Sequence, residues 1–314
     1  MSGLQSWHAA LRRPVLLVSF VISMPTACAP RAMDVPDATA PGAAATAPSA
    51  AATAGAGTST APVAAAPTVE AITASEQARV GTLRFLHARG IAELRWTDEQ
   101  GSHFEQGDAD IRWCAGRGVA ASISKFGDRH AWLGSDGTRW WRFELKTAPS
   151  RLVWGMIAAS APTQAAREAQ VANPRFLGIA PLIPRAGAVV EVRDGLAWVE
   201  LEHAGGEAIA GVRVEAGFAI GTLEPRSVRA QWNAGDSSRV DFGELMLVET
   251  AGVAQGAWPR IPRRLVAVRE GGVTALSIAI DSARADAEAA DRPTLYDMDG
   301  LRARFTPEMM EEAK

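Results

Sequence analysis

Most signatures of catalysis, cross-linking and nucleic-acid binding are missing from this sequence. Its 314 residues include two cysteines, Cys28 and Cys114, and within the folded region Cys114 has no partner for a disulfide. There is no G-x-S-x-G, no H-E-x-x-H and no phosphate-binding loop, so a nucleophile elbow, a zinc protease site and a nucleotide site all lack their usual marks. Lysine is scarce. Only Lys125, Lys146 and Lys314 occur, and the other 29 of the 32 basic residues are arginine. That excess, with the abundant alanine, fits codon bias in a GC-rich genome better than a binding feature. A net charge of -3 leaves no electrostatic footprint for nucleic acid. Hydrophobic residues make up 47%, an ordinary share for a folded protein, and the length allows one large domain or two.

What is present begins with an export signal. Arg12 and Arg13 precede an apolar run from Pro14 to Ile22, too short to span a bilayer, which leads to Thr26, Ala27 and Cys28. Residues 1–27 read as a signal peptide. A cysteine after a small residue at this place resembles the bacterial lipobox, which implies cleavage before Cys28 and its diacylation, although Pro25 stands where that pattern prefers leucine. Ordinary cleavage after Ala29 is the competing reading, because Ala27 and Ala29 stand at an A-x-A spacing. The paired arginines lack the longer twin-arginine pattern.

Residues 28–73 have a different composition. Between Pro36 and Pro67, 15 of 32 residues are alanine and Asp37 is the only charge. Pro41, Pro48, Pro62 and Pro67, with Gly42, Gly55 and Gly57, interrupt any helix, so this stretch reads as a disordered tether. A coil of that length reaches roughly 35 Å root-mean-square, enough to let a domain work away from the bilayer plane.

The folded region, residues 74–314, is mostly strand by pattern. A helix is expected over Ala71 to Val80 with Thr73 or Ser75 as its cap. Strands are expected at 81–87, 91–98, 103–114, 119–126 and 152–158, separated by turn-forming stretches rich in glycine and polar residues. Helices follow at 163–171 and 173–178, the second with Asn173 capping and Pro174 in its first turn. Strand signals resume at 188–192 and 196–202, which flank Asp194-Gly195, and continue through 280. Thr306-Pro307-Glu308 reads as the opening of a short C-terminal helix. The order implies a mainly β fold: a curved antiparallel sheet or incomplete β-barrel with a few covering helices.

The strongest local signal is the hairpin RHAWLGSDGTRWWRFEL at 129–145. A two-residue turn at Asp136-Gly137 pairs Trp132 with Trp141 and Leu133 with Trp140. Side chains alternate, so Trp132, Trp141, His130 and Phe143 share one face, while Leu133, Trp140, Ala131 and Arg142 share the other. The first row has the more contiguous aromatic surface and is assigned to the concave side.

These residues resemble a family. LRW at 94–96, the D-G-x-R-W-W-x-F-E-L segment at 136–145 and PRFLGIAPLIP at 174–184 are similar to the LolA/LolB-like outer-membrane lipoprotein-sorting superfamily. The resemblance implies an incomplete antiparallel barrel, covered by helices, around a hydrophobic cavity that receives acyl chains. Receptor-type members are lipidated, and Cys28 places this chain nearer to them. The expected partners are therefore a lipid or an acylated protein, and the membrane through Cys28. The expected location is the outer membrane facing the periplasm, with secretion to the periplasm as the alternative.

No enzyme activity and no cofactor or metal is implied. His87, His103, His130 and His203 lack ligand spacing, and Cys114 reads as a small buried hydrophobe. The pairs Asp108 and Asp110, and Glu200 and Glu202, each fall on one strand face and read as solvated. Tryptophans are core residues by default, but nine in the folded region suit a cavity wall, and Trp96, Trp132, Trp141 and Phe143 are the expected lining. A tethered structural or interaction module without a small ligand remains the alternative. If Cys28 carries the anchor, Cys28→Ser will move the protein from the membrane fraction to the soluble fraction. An intact mass showing an unmodified N-terminus after Ala29 cleavage would refute lipidation.

Overall fold

The computed structural model describes residues 66–98, 101–157, 172–202, 212–232, 237–269 and 275–313. The expected signal peptide, Cys28, most of the expected tether and the helix expected at 163–171 lie outside the described residues. The fold opens with α1 (Val69–Val80). Thr68 caps it in place of the expected Thr73 or Ser75, its hydroxyl accepting from Ala71 N–H at 3.2 Å. The Thr73 hydroxyl instead donates to the Val69 carbonyl inside the helix.

The strands are β1 (Phe85–Asp98), β2 (Gly101–Cys114), β3 (Gly118–Lys125), β4 (Asp128–Ser135), β5 (Arg139–Glu144), β6 (Arg151–Met156), β7 (Glu191–Arg193), β8 (Leu196–Glu200), β9 (Val212–Ala219), β10 (Pro225–Trp232), β11 (Ser237–Phe242), β12 (Leu245–Leu247), β13 (Arg260–Pro262), β14 (Arg264–Arg269) and β15 (Ala275–Arg284). Two short helices, α2 (Ala287–Ala290) and α3 (Met298–Phe305), and a last strand, β16 (Met309–Glu312), complete the chain. Fourteen strands form one open sheet in the order β16-β6-β5-β4-β3-β2-β1-β15-β14-β11-β10-β9-β8-β7, while β12 pairs with β13. Pairing is antiparallel except for β16, which lies parallel to β6. The sheet is large and unclosed.

Residues 81–87 and 91–98, expected as two strands, contribute to the single strand β1. Where β1 meets β15 the register shifts between Arg89 and Gly90. A Cβ on Gly90 would sit 1.9 Å from the Ala279 carbonyl oxygen, so only glycine permits this approach.

Cross-strand neighbours share a face, and the two faces are packed separately. On the inner face Val119, Trp113, Leu86, Ile280, Leu265, Phe242, Val228, Ala216 and Val199 form one buried cluster with Ile72 and Val80 of α1 and with Phe176, Ile179 and Leu182. These nine strands run consecutively from β3 to β8 in the sheet order. Flat, they would be about 38 Å wide at a spacing of about 4.8 Å, several times the roughly 10 Å width of a helix. One cluster beneath α1, the 174–184 segment and the β12–β13 pair, which supplies Ile261, fits a curled sheet and not a flat one. On the outer face Cys114, Ala120, Trp132, Trp141, Phe143 and Leu152 pack against Leu295, Tyr296, Met298 and Leu301 from the C-terminal segment.

That segment corrects one expectation: Thr306-Pro307 ends a helix instead of opening one. Asp297 caps α3, accepting from Gly300 N–H at 3.0 Å, and Thr306 closes it with φ 43°. Proline disfavours helical geometry at the residue before it, so the chain leaves the helix and extends as β16. No helix among the described residues is long and apolar enough to cross a membrane.

The inner cover is tied down by a buried ion pair. Arg79 donates from Nε and Nη2 to the two carboxylate oxygens of Glu76, both at 2.7 Å, with the side chains 1% and 0% exposed. Arg79 Nη1 also donates to the carbonyls of Gly178 at 2.8 Å and Arg260 at 2.9 Å, and Glu76 accepts from Leu182 N–H at 2.9 Å. Glu76→Ala leaves a buried guanidinium uncompensated and is expected to cost about 3–5 kcal/mol in denaturant unfolding. The pair Glu76→Leu with Arg79→Met will not restore wild-type stability, because the Leu182 amide and two carbonyls stay unpaired.

Candidate ligand-binding face

The hairpin at 129–145 forms with a register different from the expected one. Gly137, with φ 84°, and Thr138 make the turn, and Asp136 N–H donates to the Arg139 carbonyl at 3.1 Å. The cause is the Asp136 carboxylate. It accepts from the amides of Thr138 at 2.9 Å and Arg139 at 2.6 Å and pairs with the Arg139 guanidinium at 3.1 Å, which moves the turn one residue along. Trp132 consequently faces Phe143, not Trp141, and Trp141 faces Gly134.

Face sharing survives this shift because the parity is unchanged. Trp132, Trp141 and Phe143 come together, all buried, on the outer face beneath the C-terminal segment. Phe305 of α3 reaches them, with ring centroids 6.0 Å from Trp132 and 5.2 Å from Phe143. Trp140 is on the other side, in a row with Ser135 and Val119, and Val119 belongs to the inner cluster. Trp96 lies in β1 opposite His103; its side chain is outside the described residues.

Three tryptophans share a device that the sequence did not reveal. Trp141 pairs with Gly134, Trp140 with Gly155 and Trp198 with Gly217. In each pair a Cβ on the glycine would lie 2.8 to 3.0 Å from the indole ring. The ring occupies the space that the missing side chain leaves.

The inner face carries an apolar row that no single motif announces. From β2 to β8 it reads Glu105, Leu94, Leu276, Ala267, Val240, Val228, Ala216 and Val199, each opposite the next across adjacent strands. The last four are buried, whereas Leu94, Leu276 and Ala267 are only half-buried. Glu105 bounds the exposed end. Burial pushes its carboxyl pKa up, and Lys125 and His103 draw it partly back. An apolar wall with a polar rim suits a ligand with a long hydrocarbon part and a polar end.

Solved structures offer distant likenesses. A domain from Vibrio parahaemolyticus described as an outer membrane lipoprotein-sorting protein matches 69% of this chain and 91% of its own, at 11% identity and a TM-score of 0.43. A LolA-superfamily protein from Nitrosomonas europaea matches 74% and 99%, at 10% identity and 0.45. A DUF1329-family protein from Desulfovibrio piger matches 74% and 97%, at 11% identity and 0.46. The chain resembles these proteins. No family model and no curated protein sequence matches it.

Several of the remaining chemistry-bearing residues are occupied structurally. Asp110 pairs with Arg112 at 2.9 Å and His87 at 3.1 Å, Glu200 with Arg185 at 3.2 Å, and Glu202 with Arg175 at 3.0 Å. Cys114 is buried, and burial first, then Asp291, raises its thiol pKa, which disfavours the nucleophilic thiolate. Among the described residues no three His, Cys, Asp or Glu side chains are placed to hold a metal. If the Trp–Gly pairs are packing units, Gly134→Ala will displace the Trp141 ring and cost about 1–3 kcal/mol, read as a lower unfolding midpoint with altered tryptophan fluorescence.

Proposed function

We propose that the chain is a non-catalytic envelope lipoprotein that binds acyl chains, free or carried by another lipoprotein, on the inner face of its curled sheet. The half-buried row Leu94, Leu276 and Ala267 carries this reading. It continues a buried apolar wall, so a hydrocarbon chain laid along it would remove further apolar surface from water at about 25 cal/mol per Å². The export signal and Cys28 support an anchor in the outer membrane with the domain facing the periplasm. Trp132, Trp141 and Phe143 lie on the opposite face beneath α3, so the reading places contact at the row and not at these aromatics.

The test is displacement of a fluorescent fatty acid, with native mass spectrometry of protein purified from envelope extracts. Copurifying acyl lipid is expected. Leu276→Asp puts a charge on the half-buried row and is expected to weaken fatty-acid binding at least about tenfold, with little change in folding. Protein that carries no lipid and binds no fatty acid would overturn this reading in favour of an interaction module.

A further inference from the structure

The outer face carries a group of arginines that acyl binding does not use. Arg129 stands at the start of β4, beside a register shift between Ile123 and Ser124, and its guanidinium lies 4.6 Å from the centroid of the Trp132 ring. Its Nε is buried without a hydrogen-bond partner. Arg304, in the last turn of α3, precedes Phe305, which packs on Trp132 and Phe143, and its charge acts on Arg129. Among the described residues neither Arg129 nor Arg304 has a carboxylate at ion-pair distance. Arg112 has Asp110 at 2.9 Å, but that carboxylate also serves His87 at 3.1 Å and Arg89 at 3.8 Å. Two arginines and a histidine thus share this one acid, and Arg129 and Arg304 add charge with no acid of their own.

This arrangement has an electrostatic cost. The end of α3 that packs on Trp132 carries Arg304, and its like charge acts unfavourably on Arg129. The Arg129 pKa is lowered by burial first and then by Arg304 and Arg112, with Asp110 offsetting only part of this. A bound anion would remove the repulsion. A planar guanidinium fits two oxygens of one phosphate, and several guanidiniums can share its remaining acceptors.

We propose that Arg129, Arg304 and Arg112 form a binding site for a phosphate group, either inorganic phosphate or the phosphodiester of a lipid headgroup. The site is on the face opposite the acyl-binding row and does not depend on that reading. The full-length protein is titrated with sodium phosphate, and in parallel with glycerophosphoglycerol, a phospholipid headgroup without acyl chains. Sodium chloride keeps the ionic strength constant, and melting temperature and tryptophan fluorescence are followed. Both probes are compared with chloride alone.

One of the two probes is expected to raise the melting temperature, and tighter binding of one identifies the source of the phosphate. Arg129→Gln and Arg304→Gln are each expected to weaken that binding at least about tenfold. In probe-free buffer the same variants are expected to melt no lower than wild type, because they relieve the repulsion; a residue needed only for packing would melt lower. Fatty-acid affinity should be unchanged in both, which separates this site from the inner face. Binding of neither probe beyond the chloride control, or wild-type phosphate affinity in Arg129→Gln, would overturn the proposal.

Discussion

The Glu76–Arg79 pair is the constraint on which the covered side of the sheet depends. Burying two charges is costly unless their remaining hydrogen-bonding capacity is met. Here the unmet capacity is directed outward. Arg79 holds the carbonyls of Gly178 and Arg260, and Glu76 holds the amide of Leu182, so one pair in α1 fixes the 174–184 segment and β13. Gly178 has φ 63°, and a Cβ there would meet Pro262 at 2.6 Å, so the segment lies close against the strands below. Ile72, Val80, Phe176 and Leu182 complete the cluster in positions that the polar contacts have already restricted.

The two faces of the sheet follow different rules. Inside, the central strands carry small residues such as Ala88, Gly90, Ala92 and Ala109, and the cover supplies the bulk. Outside, the sheet supplies the bulk, as Trp132, Trp141 and Phe143, and the C-terminal segment closes over it. Elsewhere the outer face is charged, with Glu215 between Arg193 and Arg213. The aromatic side of the hairpin is therefore a second core, and the alanine-rich strands pack into the first, with α1 and the 174–184 segment.

Much of this was readable from the residues. Strand content and the hairpins follow from alternation and turn chemistry, which are local. Asp194-Gly195 behaves as expected, with both residues at positive φ, 53° and 75°. Asp136-Gly137 does not, because its carboxylate captures two amides beyond the turn. Parity correctly grouped Trp132, Trp141 and Phe143, but parity cannot say which side a distant helix will cover. The helix in question was obscured by Thr306-Pro307, a pair that fits a helix start as well as a helix stop. No motif marks Glu76 and Arg79 as buried, and Leu94 and Leu276 meet only because β1 and β15 pair across the chain.

That seam also shapes how the molecule comes together. β1 to β6 form a meander of neighbours, as do β7 to β11, so each can assemble from contacts between residues close in sequence. Ala88 opposite Ala283 is another matter. Closing a loop that long costs roughly 4 to 5 kcal/mol of chain entropy by the logarithmic law, and little is gained until several rungs of the seam exist together. High contact order of this kind slows folding. Until the seam zips, β1 and β15 each present a long unpaired edge, the hazard that assembled sheets avoid. The interval before β15 arrives is therefore when self-association through these edges is most favoured.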